Sequence, residues 1–123
     1  VHANTPRDAF SRLESMILMA DLEIPTRVIV QQLANAIRLV VQVSRLQDGT
    51  RKLLYISEVL GTKGEHVIVN DIFRFDRVGV SQDGKVQGRF VCVNKQPKIL
   101  ERLKTYGIGL DPAVFEETPD VNQ

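Results

Sequence analysis

His2 is the residue in this sequence best placed to do chemistry. It lies three positions ahead of Thr5-Pro6-Arg7-Asp8, which offers a capping hydroxyl, a Pro for the first helical position and an acid three residues on. A helix starting at Pro6 puts unpaired N–H groups and the positive end of its dipole beside His2. Such an end receives phosphate oxygens, and a neutral imidazole there can donate one hydrogen bond to them and accept another. Position alone leaves a second reading open, in which His2 is a terminal residue without a role.

The other candidates are weaker. The sequence has two His and one Cys, and its two His are far apart, so no Ser or Cys has a His/Asp set to activate it. No metal-ligand spacing occurs, and neither G-x-x-x-x-G-K-[ST] nor G-x-G-x-x-G is present. His66 falls in a Gly-rich turn and reads as solvated surface. Cys92, in Phe90-Val91-Cys92-Val93, reads as a small core residue. Arg51-Lys52 is either an anion patch or charge that guards a strand edge. Phe73 and Phe75 read as core and not as a platform for stacked bases.

These residues need elements to position them. Ala9, Phe10, Leu13, Met16, Ile17 and Ala20 recur at helical spacing, which predicts a helix from about Pro6 to Ala20. After a break over Asp21–Ile24, Pro25 opens a second helix carried by Val28, Ile29, Leu33 and Ala36. Leu39–Val43 is a β-branched run, Gln47–Thr50 a turn and Leu53–Leu60 its returning strand. A turn over Gly61–Glu65 leads to an extended stretch from Val67 to Asp76, with Phe73 and Phe75 on one face. Gln82–Lys85 is a third turn and Val86–Val93 the strand that follows. Pro97 starts a last helix with Ile99, Leu100, Leu103 and Tyr106 on its apolar face and Gly107 as its C-terminal cap. From Leu110 the chain reads as a partly docked tail, frayed at its end. The expected class is α/β, in the order helix, helix, antiparallel strands, helix, without the βαβ alternation of a whole nucleotide-binding sheet and without an internal repeat.

Composition sets the outer bounds. At 123 residues, 43% hydrophobic and 25% charged, the chain is one domain able to bury a core, and is neither disordered, collagenous nor disulfide-built. A formal charge of +1 argues against a broad grip on nucleic acid. No apolar run is long enough to span a bilayer, and the N-terminus lacks the pattern of a signal peptide. A single Cys fits a reducing compartment. The missing initiator Met is expected of a chain that was processed or cut from a longer one.

His2 to Glu14, His-Ala-Asn-Thr-Pro-Arg-Asp-Ala-Phe-Ser-Arg-Leu-Glu, resembles the histidine box of the ATPases that assemble pili and drive type II and type IV secretion. Its Pro-Arg-Asp-Ala and Ser-Arg-Leu-Glu are most similar to the CpaF-type ATPases of Tad/Flp pili. The likeness continues through Ser44–Arg51, Ile56–Val59, Asp71–Phe75, Gly84–Phe90 and Pro97–Leu103, so that it spans nearly the whole chain. The resemblance implies the C-terminal portion of a RecA-like P-loop ATPase domain. Residues 1–36 then hold the histidine box and helices, 37–93 the strands and hairpins, and 94–123 the final helix and tail. The chain lacks the four-cysteine zinc element of many type II secretion ATPases.

The resemblance implies further that the parent protein is a cytoplasmic hexamer, peripheral at the inner face of the inner membrane. It would work with inner-membrane platform proteins, use ATP and Mg²⁺, insert nothing into the membrane and bind no nucleic acid. His2 matches the histidine that contacts or senses the γ-phosphate. Arg12 matches a box arginine with a role in structural pairing or nucleotide-state coupling, beside the plainer reading of a surface ion pair with Asp8 or Glu14. Asn4 would cap the helix or orient His2. The phosphate loop and the acidic boxes precede the histidine box in the family, so this chain by itself is expected to bind no cofactor and to hydrolyse nothing. The alternative is a non-catalytic module for self-association or partner docking, built on a sheet edge left uncovered.

Overall fold

The computed structural model describes residues 1–20 and 23–116. Its elements are α1 (Pro6–Met19), α2 (Thr26–Ala36), β1 (Leu39–Arg45), β2 (Arg51–Lys63), β3 (His66–Val80), β4 (Val86–Cys92) and α3 (Ile99–Thr105), followed by a 3₁₀ turn at Pro112–Phe115. The four strands form one antiparallel sheet in the order β1-β2-β3-β4. The fold is thus mixed α/β, with three α-helices among the described residues. Among the described residues no helix is long and apolar enough to cross a membrane.

α1 begins where its sequence says. Thr5 Oγ1 accepts the Asp8 N–H at 3.1 Å and Pro6 takes the first helical position. Only part of its apolar stripe goes inside, Ile17 being half-buried. Phe10 is buried and Leu13 half-buried, whereas Met16 is 61% exposed and Ala20 is exposed as well. α2 starts at Thr26, with Pro25 in the cap position, and buries Ile29, Val30 and Ala34. Val28 and Ala36, expected on its inner face, are exposed. Phe10 and Ala34 meet Val59 of β2 and Val69 of β3 in one cluster, so the helix pair covers one face at the distal end of the β2–β3 hairpin.

β2 runs past Leu60 to Lys63 and β3 begins at His66, which shrinks the expected turn at 61–65 to Gly64-Glu65. Gly64 takes φ 61°, a conformation open to Gly at no steric cost. Each long strand carries two extra residues relative to its partners, Leu54 and Leu60 in β2, Ile72 and Val78 in β3. Bulges of this kind increase local twist and bend a strand. The break in alternation at Ile72 explains why Phe73 does not join the Phe10 cluster. Its ring stacks instead on Phe90 (centroids 5.5 Å apart) and Phe115 (5.8 Å), which docks the 3₁₀ turn. The tail beyond residue 116, expected to fray, lies outside the described residues.

The turns after β1 and after β3 share Gln-Asp-Gly and one hydrogen-bond pattern. In the first, Gly49 N donates to Leu46 O and Leu46 N to Thr50 O; in the second, Gly84 N donates to Ser81 O and Ser81 N to Lys85 O. Both glycines have positive φ, 84° and 80°. Asp48 alone does more. Its carboxylate accepts Thr50 Oγ1–H (2.6 Å) and Thr50 N–H (2.9 Å), and its other oxygen accepts Val86 N–H at 2.8 Å, 38 residues away on β4. The β1–β2 turn therefore curls across the end of β3.

These bonds, the Thr50 hydroxyl first and then the Val86 and Thr50 amides, hold the Asp48 carboxyl down from 3.8 to about 2. A depressed folded-state pKa stabilises the fold above the unfolded-state value and loses that contribution as pH falls from about 4 towards 2. Urea midpoints measured over that window should fall with pH for the parent chain and fall less for Asp48→Asn. Identical slopes would show that Asp48 is not the group responsible.

α3 is shorter than expected, beginning at Ile99, and ends as its sequence predicts. Gly107 has φ 73°, its N–H donates to Lys104 O, and Ile108 N–H reaches back to Leu103 O, a Schellman closure. Tyr106, expected on the apolar face, is 68% exposed with the Arg102 guanidinium 5.8 Å from its ring. Cys92 is half-buried and not a core residue, its Sγ–H donating to Asn94 O at 3.3 Å.

Candidate functional site

The segment Val1–Asn4 lies along β1. Gln42, the one polar residue in the apolar Leu39–Val43 run, is 8% exposed and donates from Nε2 to Ala3 O at 2.6 Å. That bond fixes the path of the chain into α1 and so the place of His2. A polar residue inside an apolar strand was the signal for it, and the sequence reading passed over it. Asn4 does not cap α1, because Thr5 takes the position and only one side chain can accept the free amide of Asp8.

His2 is exposed and borders two open depressions. The first, about 350 Å³, lies at the start of α1 and is lined also by Asn4, Asp8, Ser11 and Arg12. It brings together the two site residues picked out from the sequence, His2 ahead of the helix and Arg12 on α1, one turn on from Asp8. Among the described residues Arg12 forms no ion pair with Asp8 or Glu14, so its guanidinium remains available in this depression. The second depression, about 450 Å³, runs along β1 and is lined by Gln42, Ser44, Arg45 and Arg51. Together the two surround the imidazole with three guanidiniums, hydroxyls and amides, and one carboxylate, Asp8. Donors of this kind hold anionic oxygens.

The remaining candidates fall apart in space. His66 is exposed, as expected, and lines a separate depression of about 580 Å³ with Arg7, Glu14 and Lys63. Arg51 and Lys52 point to different surroundings: Arg51 lines the depression beside His2, whereas the Lys52 ammonium lies 5.7 Å from the Phe75 ring. Among the described residues no group of three His, Cys, Asp or Glu converges to hold a metal ion.

One functional-looking residue was missed entirely. Glu58 in β2 is 3% exposed, and its two carboxylate oxygens accept Lys98 N–H (3.0 Å) and Ile99 N–H (2.9 Å). It caps α3 from a distance of 40 residues, so its task is structural and no local pattern could announce it. The chain matches no protein-family model and no curated protein sequence.

Proposed function

We propose that this chain is the C-terminal part of the RecA-like motor domain of a CpaF-type ATPase. That motor is a hexamer whose ATP hydrolysis powers Tad/Flp pilus assembly or type II/IV secretion. The observation that carries the reading is the pairing of His2 with Arg12 beside the Thr5-capped start of α1, within the His2–Glu14 stretch that resembles the family's histidine box. In the parent, His2 would hydrogen-bond a γ-phosphate oxygen and Arg12 would pass the nucleotide state into α1. These donors fit the phosphate end of ATP. Among the described residues no carboxylate cluster fits Mg²⁺, which in this reading the phosphate-loop part of the motor would hold. The site would lie in the cytoplasm at the inner membrane, against platform proteins.

The 123-residue chain is expected to show no ATP turnover above a protein-free blank. A longer protein that includes the phosphate loop is expected to hydrolyse ATP and to lose about 100-fold in kcat with His2→Ala, as removal of one preorganised donor does. Turnover by the 123-residue chain that His2→Ala abolishes would sink the fragment reading. Full activity of the longer His2→Ala protein would sink the role of His2.

A second reading is favoured by β1. It is an edge strand, and Leu39, Val41 and Val43 are 43%, 59% and 55% exposed on one of its faces. Apolar side chains on a free edge invite pairing with another chain, which is the behaviour of an assembly module. Light scattering separates the readings: a mass that stays monomeric as concentration rises leaves the edge without that role.

A further inference from the structure

We propose that Arg45 and Arg51, with His2 beside them, form a binding site for an oligophosphate, either the phosphate tail of a nucleoside polyphosphate or its inorganic equivalent. Arg45 and Arg51 are directly opposite each other in the last rung of the β1–β2 ladder. Like charges opposite each other destabilise a sheet, and a sequence keeps such a pair at a cost unless something neutralises it. Nothing among the described residues does. Among the described residues neither arginine forms an ion pair, and Arg51 donates to no protein acceptor. The acid in the intervening turn, Asp48, is committed to Thr50 and Val86. Arg45 spends its Nε on Gly49 O at 3.2 Å, which steadies the side chain and leaves its terminal nitrogens open.

The surroundings suit an anion. His2 and Ser44 line the same depression of about 450 Å³, and none of its lining residues is acidic. Guanidinium forks match phosphate oxygens in geometry as well as charge. Directly opposite Cβ atoms stand about 5 Å apart, a spacing that serves adjoining phosphates better than a single one. Two arginines in a chain of formal charge +1 make too short a track for a nucleic-acid backbone, so the ligand is a small oligophosphate. The proposal deepens the functional reading above and rests on it only for the natural source of the phosphates.

Tripolyphosphate, ATP, AMP and sulfate, each titrated into the ¹⁵N-labelled chain, test it. Tripolyphosphate and ATP are expected to bind saturably, with the largest amide shifts at Ala3, Ser44, Arg45 and Arg51. AMP and sulfate should bind at least about tenfold more weakly. The double variant Arg45→Gln/Arg51→Gln is expected to lose about tenfold or more for tripolyphosphate, the loss typical of removed charge-assisted bonds. Lys52→Gln should change binding less than about twofold, because its ammonium lies over Phe75. Without ligand, Arg51→Gln should unfold at the same temperature as the parent or higher, which separates lost binding from lost folding.

Unchanged affinity in the double variant, shifts centred elsewhere, or binding of ATP without tripolyphosphate would each overturn the proposal. If the double variant binds normally while the longer protein still needs His2 for hydrolysis, this site fails and the functional reading stands. If the arginines bind tripolyphosphate and the longer protein ignores His2→Ala, the site stands and the reading fails.

Discussion

Glu58→Ala is expected to destabilise the fold by about 3 kcal/mol and to release α3 from the sheet. α3 has seven residues, none of them buried, and Lys98 in its cap position supplies no side-chain acceptor. Helices this short do not hold together in water on their own. The Glu58 carboxylate supplies what is missing by accepting two amides at 3.0 and 2.9 Å, and its negative charge meets the positive end of the helix. Each bond of a charged acceptor contributes roughly 1.5–3 kcal/mol. Lys98 is exposed, so water can satisfy part of what Ala leaves behind, and the loss falls short of the sum of two bonds. In melting temperature the loss is on the order of 10 °C for a domain of this size. Glu58→Gln keeps one oxygen and should lose about half as much. Denaturant titration measures the first effect and amide exchange at residues 99–105 the second. A Glu58→Ala chain within about 0.5 kcal/mol of the parent, with those amides still protected, would show that α3 is held by something else.

Gly88→Ala is expected to cost about 3 kcal/mol, at the upper end of what overpacking usually does. A Cβ at this position lands on the Phe75 ring, with Cε1 at 2.8 Å, and 2.5 Å from the Asp76 carbonyl oxygen. The ring could swing aside only by leaving the Lys52 ammonium that lies over it. The carbonyl has less freedom, because Asp76 pairs with Arg89 and Arg77 with Gly88 in the β3–β4 ladder. Two obstacles predict a particular double-mutant result. Phe75→Ala should relieve part of the Gly88→Ala penalty and leave the backbone part in place. Full relief would assign the penalty to the ring alone, and a neutral Gly88→Ala would show that the strand yields without cost.

Gly88 and Glu58 mark where the sequence stopped being legible. The elements fixed by local chemistry were readable: Thr5 and Pro6 start α1, Gly49 and Gly84 turn the hairpins, and Gly107 closes α3. Each acts through bonds to residues at most a few positions away. Glu58 acts on residues 40 and 41 positions on, and its place after Ser57 in the largely apolar Leu53–Leu60 strand does not name those partners. Gly88 is a glycine because of a ring on the neighbouring strand, a fact that only the register supplies. The bulges at Leu54 and Ile72 have no glycine or proline beside them, whereas those at Leu60 and Val78 are followed by Gly61 and Gly79, and all four shift which strand residues face the helices. Met16 and Tyr106 look inward by helical spacing and are exposed because the sheet covers only part of each helix. In the candidate site, His2 and Arg12 were named from one short stretch and do share a depression. Arg45 beside His2 depends on the Gln42–Ala3 bond, which no spacing rule encodes.

The meander order of the strands has a kinetic consequence. Every strand pairs with the next one along the chain, so the sheet can grow through short loop closures, the situation in which chains fold quickly. Among the ties that do not follow that order are two made by carboxylates: Asp48 closing on Val86 across 38 residues, and Glu58 closing on α3 across 40. Both can form only once the strands they join are already in register. Contacts absent from the transition state act on the rate of unfolding and hardly on the rate of folding. Asp48→Asn and Glu58→Gln should therefore leave the refolding limb of a chevron where it is and raise the unfolding limb. The sheet's speed of assembly then belongs to its hairpins, and two carboxylates add to its lifetime once assembled.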